Sequence, residues 1–395
     1  MDGKSVQSRL RDLVKFLSTV QGDLSNVTGP PSLLAPSSVV EVGHCWGQRP
    51  AVFAAPSLEP CPEKRALLVL RFFLTALRSQ LYVGGSPKVS IKKPINAFLG
   101  ELFFASWTDS DHKSTTRLVA EQVSHHPPIT AMHISDSEHG VRADGYARVE
   151  MTFNGAVNVR QLGHAVYQID RYRESYLIPL PDVKVRGFLS GCTYPEIIGT
   201  YTIFSTSGYT AEITFSGEGV FRGKRNSFQA RIFQRDDPRR QSIYEASGVW
   251  SDGWTVRHAQ TGDIIENYIV DAPENEPAPI DIPPIDEQDP WESRRAWGGV
   301  LSGMEMGDMR MVVTEKTKIE QAQRQMRTRE KERNEKWEPL LFKSLDGDDH
   351  EVFHDLTEGT DWRLQDDKTK GVWRIDEHRV NNLQRPFRGH LTPLG

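Results

Sequence analysis

Three stretches of the chain carry side chains whose types and spacing could do chemistry. "EQVSHHPPI", residues 121–129, sets two adjacent histidines before two prolines. A strand sends neighbouring side chains to opposite faces, and a helix does not tolerate the coming Pro-Pro. The segment reads as a stiffened loop that presents His125 and His126 side by side. "IKKPINAFLGELF", residues 91–103, puts Lys92 and Lys93 before another stiffening proline. "KTKIEQAQR", residues 316–324, spaces Lys316, Glu320 and Arg324 at i, i+4 and i+8, along one stripe of a helix.

Four chemistries can be weighed for the paired histidines. A zinc site needs three or four N, S or O ligands close together, and the sequence holds no HxH, HExxH or CxxC. Hydrolysis with Ser124 as nucleophile lacks the GxSxG elbow and an acidic partner. A surface loop with two ordinary histidines stays open. So does anion binding: two imidazoles can both donate to a phosphate, and a bound dianion favours their charged forms. The Lys316–Glu320–Arg324 stripe has its own two readings. It can serve an anion, or it can be a solvated salt-bridge face, which local composition favours.

The elements that must position these groups fall into three textures. Residues 4–20 read as an amphipathic helix, with Val6, Leu10, Leu13, Val14, Leu17 and Val20 on one face and Lys4, Arg9, Arg11 and Lys15 on the other. "GPPSLLAP" follows as a Pro-braced connector, and residues 63–80 read as a second helix, apolar on most faces. From about 99 to 270 the pattern alternates, with hairpin and turn signals such as Asn154-Gly155 between runs, so the expected core is an antiparallel meander closed or nearly closed into a barrel. Residues 272–290 are acidic and Pro-rich, a linker or surface strap, and residues 314–337 read as a highly charged helix.

Bulk properties bound the answer. A net charge of −5 gives no overall basic character to advertise nucleic acid, so anion binding must come from a local cluster. Three scattered cysteines suit a reducing compartment rather than a disulfide framework. The opening "MDGKSVQSRLRDL" does not read as a secretory signal, and the most apolar run, residues 66–77, is too short to span a bilayer and carries Arg71.

"EQVSHHPPI" resembles the fingerprint of the oxysterol-binding-protein-related family of lipid carriers, matching it from Glu121 to Pro128. "KKPINAFLGELF" is similar to the family's KKPxNPxLGExF segment, with Ala97 where proline is usual. "GKRNSFQARIF", "WESRRAW" and "KTKIEQAQR" resemble three further blocks, and "GDLSNVTGPPSLLAP" resembles the short fungal-type members that consist of the lipid-binding domain alone. The resemblance implies a predominantly β, α+β fold: a large incomplete antiparallel barrel around a lipid tunnel, an N-terminal helical lid and C-terminal helices. It divides one lipid-binding domain, 1–395, into a lid (1–29), an N-terminal helical segment (30–98), the barrel (99–290) and a C-terminal helical subdomain (291–395).

The resemblance also implies a function. A non-enzymatic carrier would exchange a sterol of ergosterol or cholesterol type for phosphatidylinositol 4-phosphate between membranes; the alternatives are a sensor of phosphatidylinositol 4-phosphate and an exchanger of phosphatidylserine for it. It would need no cofactor and no metal, and would act as a monomer, cytoplasmic and transiently on membrane surfaces of endoplasmic reticulum or Golgi type. Carried over residue by residue, the phosphoinositide cluster is Lys93, His125, His126, Lys316, Glu320 and Arg324. The sterol contacts are Trp46, Gln80 and Gln161, with Leu24 and Val27 from the lid segment. Leu81 stands where an aromatic is typical, with Tyr82 one step later, and Ala147 stands where a tunnel asparagine is typical, so sterol binding is expected to be weakened or retuned. "EVFHDLTE", residues 351–358, is a weak FFAT-like string with His354 where an acid is expected.

Overall fold

The computed structural model describes residues 34–83, 86–109, 111, 113–188, 192–217, 224–345, 351–360 and 372–395. The amphipathic segment 4–20, and with it Leu24 and Val27, lies outside the described residues. A short strand, β1 (Leu34–Ser38), leads into three helices: α1 (His44–Gly47), α2 (Pro50–Leu58) and α3 (Pro62–Leu81). Pro62 opens α3, where its missing N–H is no loss. Glu63 in the first turn and Arg78 in the last complement the helix dipole. The helix expected over 63–80 is there, buried on most of its faces.

After β2 (Lys93–Ile95), which pairs parallel with β1, the chain enters one antiparallel sheet of 15 strands. Its first half is β3 (Leu102–Asp109), β4 (Ser114–His125), β5 (Pro128–Asp136), β6 (Val141–Phe153), β7 (Val157–Ile169) and β8 (Glu174–Pro179). Next come β9 (Val183–Arg186), β10 (Tyr194–Ile197), β11 (Gly199–Ser205), β12 (Tyr209–Ser216) and β13 (Ser227–Gln234). It ends with β14 (Tyr244–Val249), β15 (Gly253–His258), β16 (Ile264–Ile269) and β17 (Ile280–Asp281). The sheet forks at β7, whose second half pairs with β8 and whose start pairs with β9.

The barrel does not close through strand pairing. Its two edges are β16 and β17, which pair with β15 and β3 and not with each other. The seam is filled by helices and the acidic strap. Arg71 and Arg78 on α3 pair with Glu266 and Asp271. The Ala278 N–H donates to the Gln48 carbonyl at 2.8 Å, and Arg49 Nε donates to the Asn275 carbonyl at 2.8 Å. The segment read as a linker thus supplies a strand and a cover for the open edge.

Alternation sorts each strand into two cores. Inward residues such as Phe103, Trp107, Leu118, Ala120, Tyr167, Ile213 and Trp254 pack with Phe53, Leu70 and Phe72 of the enclosed helices. Outward residues of β3–β6, among them Leu102, Val123, Ile129 and Tyr146, pack against the C-terminal part of the chain. That part comprises α4 (Ser293–Ala296), α5 (Gly298–Glu305), α6 (Met309–Arg333), β18 (Phe342–Leu345), α7 (Glu351–Thr357), β19 (Val372–Ile375) and α8 (Glu377–Asn381).

The charged helix starts earlier than the sequence pattern suggests and stops sooner. Asp308 caps it, accepting from the N–H groups of Arg310 and Met311 at 3.0 and 3.1 Å, and Asn334 ends it in the left-handed conformation. The FFAT-like string is corrected too. Residues 351–357 form α7, whose Phe353 and Leu356 are buried against Val166 and Leu177 on the sheet. An aromatic committed to the core is not a linear motif on offer to a partner.

Candidate functional site

The fingerprint is a hairpin. β4 runs into β5 with His125 opposite Pro128, leaving His126 and Pro127 as the turn. The two imidazoles meet edge to face, with ring centroids 4.7 Å apart. His126 is exposed and His125 half-buried. Burial is the largest influence on the His125 ring and pushes its pKa down. His126 and Arg327 push the same way, while the Ala97 backbone and Glu320 oppose them. His125 Nδ1 is buried with no hydrogen-bond partner of good geometry among the described residues.

Two carboxylates in the flanking motifs hold the hairpin in place rather than face a ligand. Glu121, fully buried on the outward face of β4, accepts from the N–H groups of Leu340 and Leu341 at 2.7 and 2.8 Å. Glu101, also fully buried, ties "LGELF" to "WESRRAW": it accepts from Ser293 Oγ at 2.7 Å, Trp297 Nε1 at 3.0 Å and the Phe98 N–H at 3.1 Å. Burial pushes its pKa up to about 7. Gly100, just before Glu101, has φ +82°, and any Cβ there would run into the Trp337 ring. Spacing alone gives no signal for these roles, because the partners other than Phe98 are distant in the chain.

The same packing brings α6 to the hairpin. Ile319 and Met326 bury that helix in the core that also contains Val123 and Ile129. Lys316 is buried and ion-paired with Glu320 one turn on, whereas Arg324 is exposed. Glu320 is near enough to influence His125 electrostatically. Lys93 lies half-buried in β2, four residues before Ala97, whose backbone meets the His125 ring. Ala97, beyond β2, and Glu320, on α6, thus both act on the His125 ring. The cations, imidazoles and single carboxylate of these three motifs are of types suited to an anion whose neighbouring hydroxyls need an acceptor.

The interior residues are more dispersed. Trp46 is buried on α1, its ring 4.9 Å from Phe72. Gln80 lies half-buried near the end of α3. Gln161 is on the inward side of β7, and its amide donates to the Pro181 carbonyl at 2.6 Å. No hydrogen bond joins Trp46, Gln80 and Gln161 to one another among the described residues. Tyr82, one step past Leu81, points elsewhere: its hydroxyl accepts from Asn226 Nδ2 at 2.9 Å. A cavity of about 540 Å³ opens beside the seam, bounded by Phe103, Trp107 and Tyr82 and by the polar pair Gln48 and Ser79. Gln48 Nε2 donates to Ser79 Oγ at 2.6 Å. Neither residue stands out in the sequence.

A family model described as oxysterol-binding protein matches residues 12–299. The chain belongs to the oxysterol-binding protein family. Among members of that family it is similar to protein kes1 of Schizosaccharomyces pombe, 36% identical over 348 residues that cover 87% of this chain and 89% of the relative. It is 46% identical over 382 residues to a probable transporter, efuK, of Hormonema carpetanum; the match covers 96% of this chain but only 54% of that relative. Its fold is similar to the Osh3 ORD of Saccharomyces cerevisiae, solved in complex with PI(4)P, with a TM-score of 0.71 at 18% identity, covering 96% of this chain and 95% of that one. It is also similar to the Osh1 ORD domain solved with cholesterol, with a TM-score of 0.70 at 21% identity, covering 89% and 86%. The open antiparallel sheet wrapped around helices is thus the fold of oxysterol-binding proteins.

Proposed function

We propose that this oxysterol-binding protein is a non-enzymatic carrier that exchanges a sterol for phosphatidylinositol 4-phosphate between membranes. The observation that supports the reading most is that His125 and His126 share one hairpin and that Glu320, ion-paired with Lys316, acts electrostatically on the His125 ring. A phosphomonoester needs several converging donors, the planar fork of Arg and the point charge of Lys being complementary. In this reading His125, His126 and Arg324 take the 4-phosphate, and Lys93 and Lys316 serve the remaining phosphate and ring oxygens. Glu320 accepts from inositol hydroxyls while holding Lys316. Trp46, Gln80 and Gln161 line the sterol's place. The apolar Leu81 and Ala147 leave its hydroxyl fewer partners. Solved relatives bound to cholesterol and to PI(4)P support this choice of ligands. No helix among the described residues is long and apolar enough to cross a membrane, and the proposed carrier meets membranes from the cytoplasmic side as a monomer.

The test is extraction from vesicles by the double variant His125→Ala, His126→Ala. Phosphatidylinositol 4-phosphate extraction is expected to vanish while that of a fluorescent sterol survives. In the unaltered protein, each lipid should displace the other one for one. Unchanged phosphoinositide extraction by the double variant would sink the assignment, and simultaneous binding of both lipids would refute exchange.

A further inference from the structure

Three large apolar side chains stand in solvent where α5 turns into α6: Met306 is 65% exposed, Val313 50% and Met309 36%. The turn does not need them. Gly307, at φ +69°, closes the end of α5: its N–H donates to the Met304 carbonyl at 3.1 Å, and the Asp308 N–H donates to the Gly303 carbonyl at 2.8 Å. The Asp308 side chain then starts α6. Gly303 lets the two helices meet closely, since a Cβ there would lie 3.0 Å from Val312. Val300 and Val312, both buried, anchor the pair in the outward core. The tip beyond them is held in place, and it projects: a Cβ on Gly307 would meet nothing within 4 Å.

Helix geometry relates this tip to the proposed headgroup residues. Met309 and Val313 precede Lys316 and Glu320 by seven residues each. The members of each pair are therefore within about 20° of one another around the helix and about 10 Å apart along it. One stripe thus begins apolar and exposed and continues into Lys316, Glu320 and Arg324. Its start is the convex end of a helical hairpin, whereas a partner peptide is received by a groove or a free sheet edge. Glu305, Asp308 and Arg310 around the methionines are exposed and of both signs, so surface charge selects no partner there. Unbranched, polarisable methionine side chains adapt to an irregular apolar medium. A protein that lifts a phosphoinositide out of a bilayer has to bring its headgroup residues to the bilayer surface, and about 10 Å is the depth to which interfacial apolar groups enter.

We infer that Met306, Met309 and Val313 form a wedge that enters the lipid bilayer and sets the stripe at its surface for headgroup capture. The inference rests on the headgroup reading above. Contact through this tip comes from apolar insertion, so it should persist at high salt, where attachment by surface charge fades.

The experiment uses the full chain with phosphatidylcholine vesicles, with and without phosphatidylinositol 4-phosphate, and follows vesicle binding by flotation. Met306→Ser with Met309→Ser should weaken binding to both vesicles roughly tenfold, the loss of two inserted apolar side chains. Uptake of the phosphoinositide should slow with it, while affinity for a soluble short-chain phosphatidylinositol 4-phosphate stays unchanged. Met306→Trp gives a readout that serves even if the serine variant does not fold: vesicles with brominated acyl chains should quench the added fluorescence. Undiminished vesicle binding by the serine variant overturns the inference, and so does an absence of quenching. An equal loss of affinity for the soluble lipid also overturns it, because that marks a role inside the site or the fold. The His125→Ala, His126→Ala protein separates the two levels. If it retains phosphoinositide uptake, the headgroup reading itself is wrong; if it loses uptake while the serine variant binds and takes up lipid as its parent does, only the wedge is wrong.

Discussion

Arg388, near the C-terminal end of the chain, reaches the buried carboxylate of Glu121 at 3.7 Å. The same carboxylate takes the N–H groups of Leu340 and Leu341, and Arg388 stacks between Trp337 and Trp291. The first residue of the fingerprint is therefore a clasp. It fastens the segment after α6 to the back of β4, the strand whose end carries His125.

Replacing Glu121 should consequently damage stability before it damages ligand contact. Glu121→Ala removes the acceptor of the Leu340 and Leu341 N–H groups and the carboxylate facing Arg388, and breaking such a buried ion pair costs about 3–5 kcal/mol. Urea unfolding should register a loss of that size. A substitution at Arg324, which is exposed, should shift the same midpoint far less. A Glu121→Ala protein as stable as its parent would show that the clasp holds nothing.

Phosphoinositide affinity should depend on pH, and the sign follows from His125. In the empty site burial holds its pKa below the ordinary histidine value, so the neutral ring is favoured. A bound phosphate dianion favours the charged ring and moves the pKa upward. Binding then takes up a proton, and affinity should fall as pH rises through the bound-state pKa. For folding the direction is separate: a depressed histidine pKa contributes stability that is present above the unfolded value near 6.5 and lost as pH falls through the folded one. Calorimetric titrations with a soluble short-chain phosphatidylinositol 4-phosphate, in buffers of different ionisation enthalpy, measure the proton uptake. The effect should shrink in His125→Gln, and an equal uptake there would assign the proton elsewhere.

Much of this architecture is legible in local pattern, because alternation, Asn154-Gly155 and the apolar helix over 63–80 are short-range signals. The turn is legible as a stiffened loop, since Pro127 and Pro128 restrict the backbone where they stand; that it joins two paired strands, with His125 opposite Pro128, is not. What stays hidden is whatever depends on distant chain segments meeting. Glu121 and Glu101 look like ordinary strand charges until Leu340 and Ser293 arrive beside them. Residues 272–290 look like a linker because a two-residue strand, Ile280–Asp281, leaves no periodic trace. The start of α6 is hidden for a local reason: Asp308 sits among methionines and glycines that carry no helical period.

Glu101 supplies a second pH effect, of the same origin in burial but opposite in sign. Its pKa is pushed up to about 7 by burial, against about 4.5 in the unfolded chain. The folded state therefore favours the neutral acid, and the stability tied to this group is present at low pH and lost as pH rises from about 4.5 to about 7. Glu101→Gln removes the titration but also replaces one carboxyl oxygen with an NH2 donor, losing the acceptor either for Ser293 or for Trp297 and the Phe98 N–H, so it should be destabilising everywhere. The informative quantity is how that penalty changes with pH. Between pH about 5 and about 8 it should shrink by an amount on the order of 3 kcal/mol, because the parent loses stability over that range and the variant does not; a tenfold change in proton affinity is worth about 1.4 kcal/mol. Paired urea titrations at four pH values give the difference directly, and a penalty that stays constant across them would mean that Glu101 remains ionised in the fold.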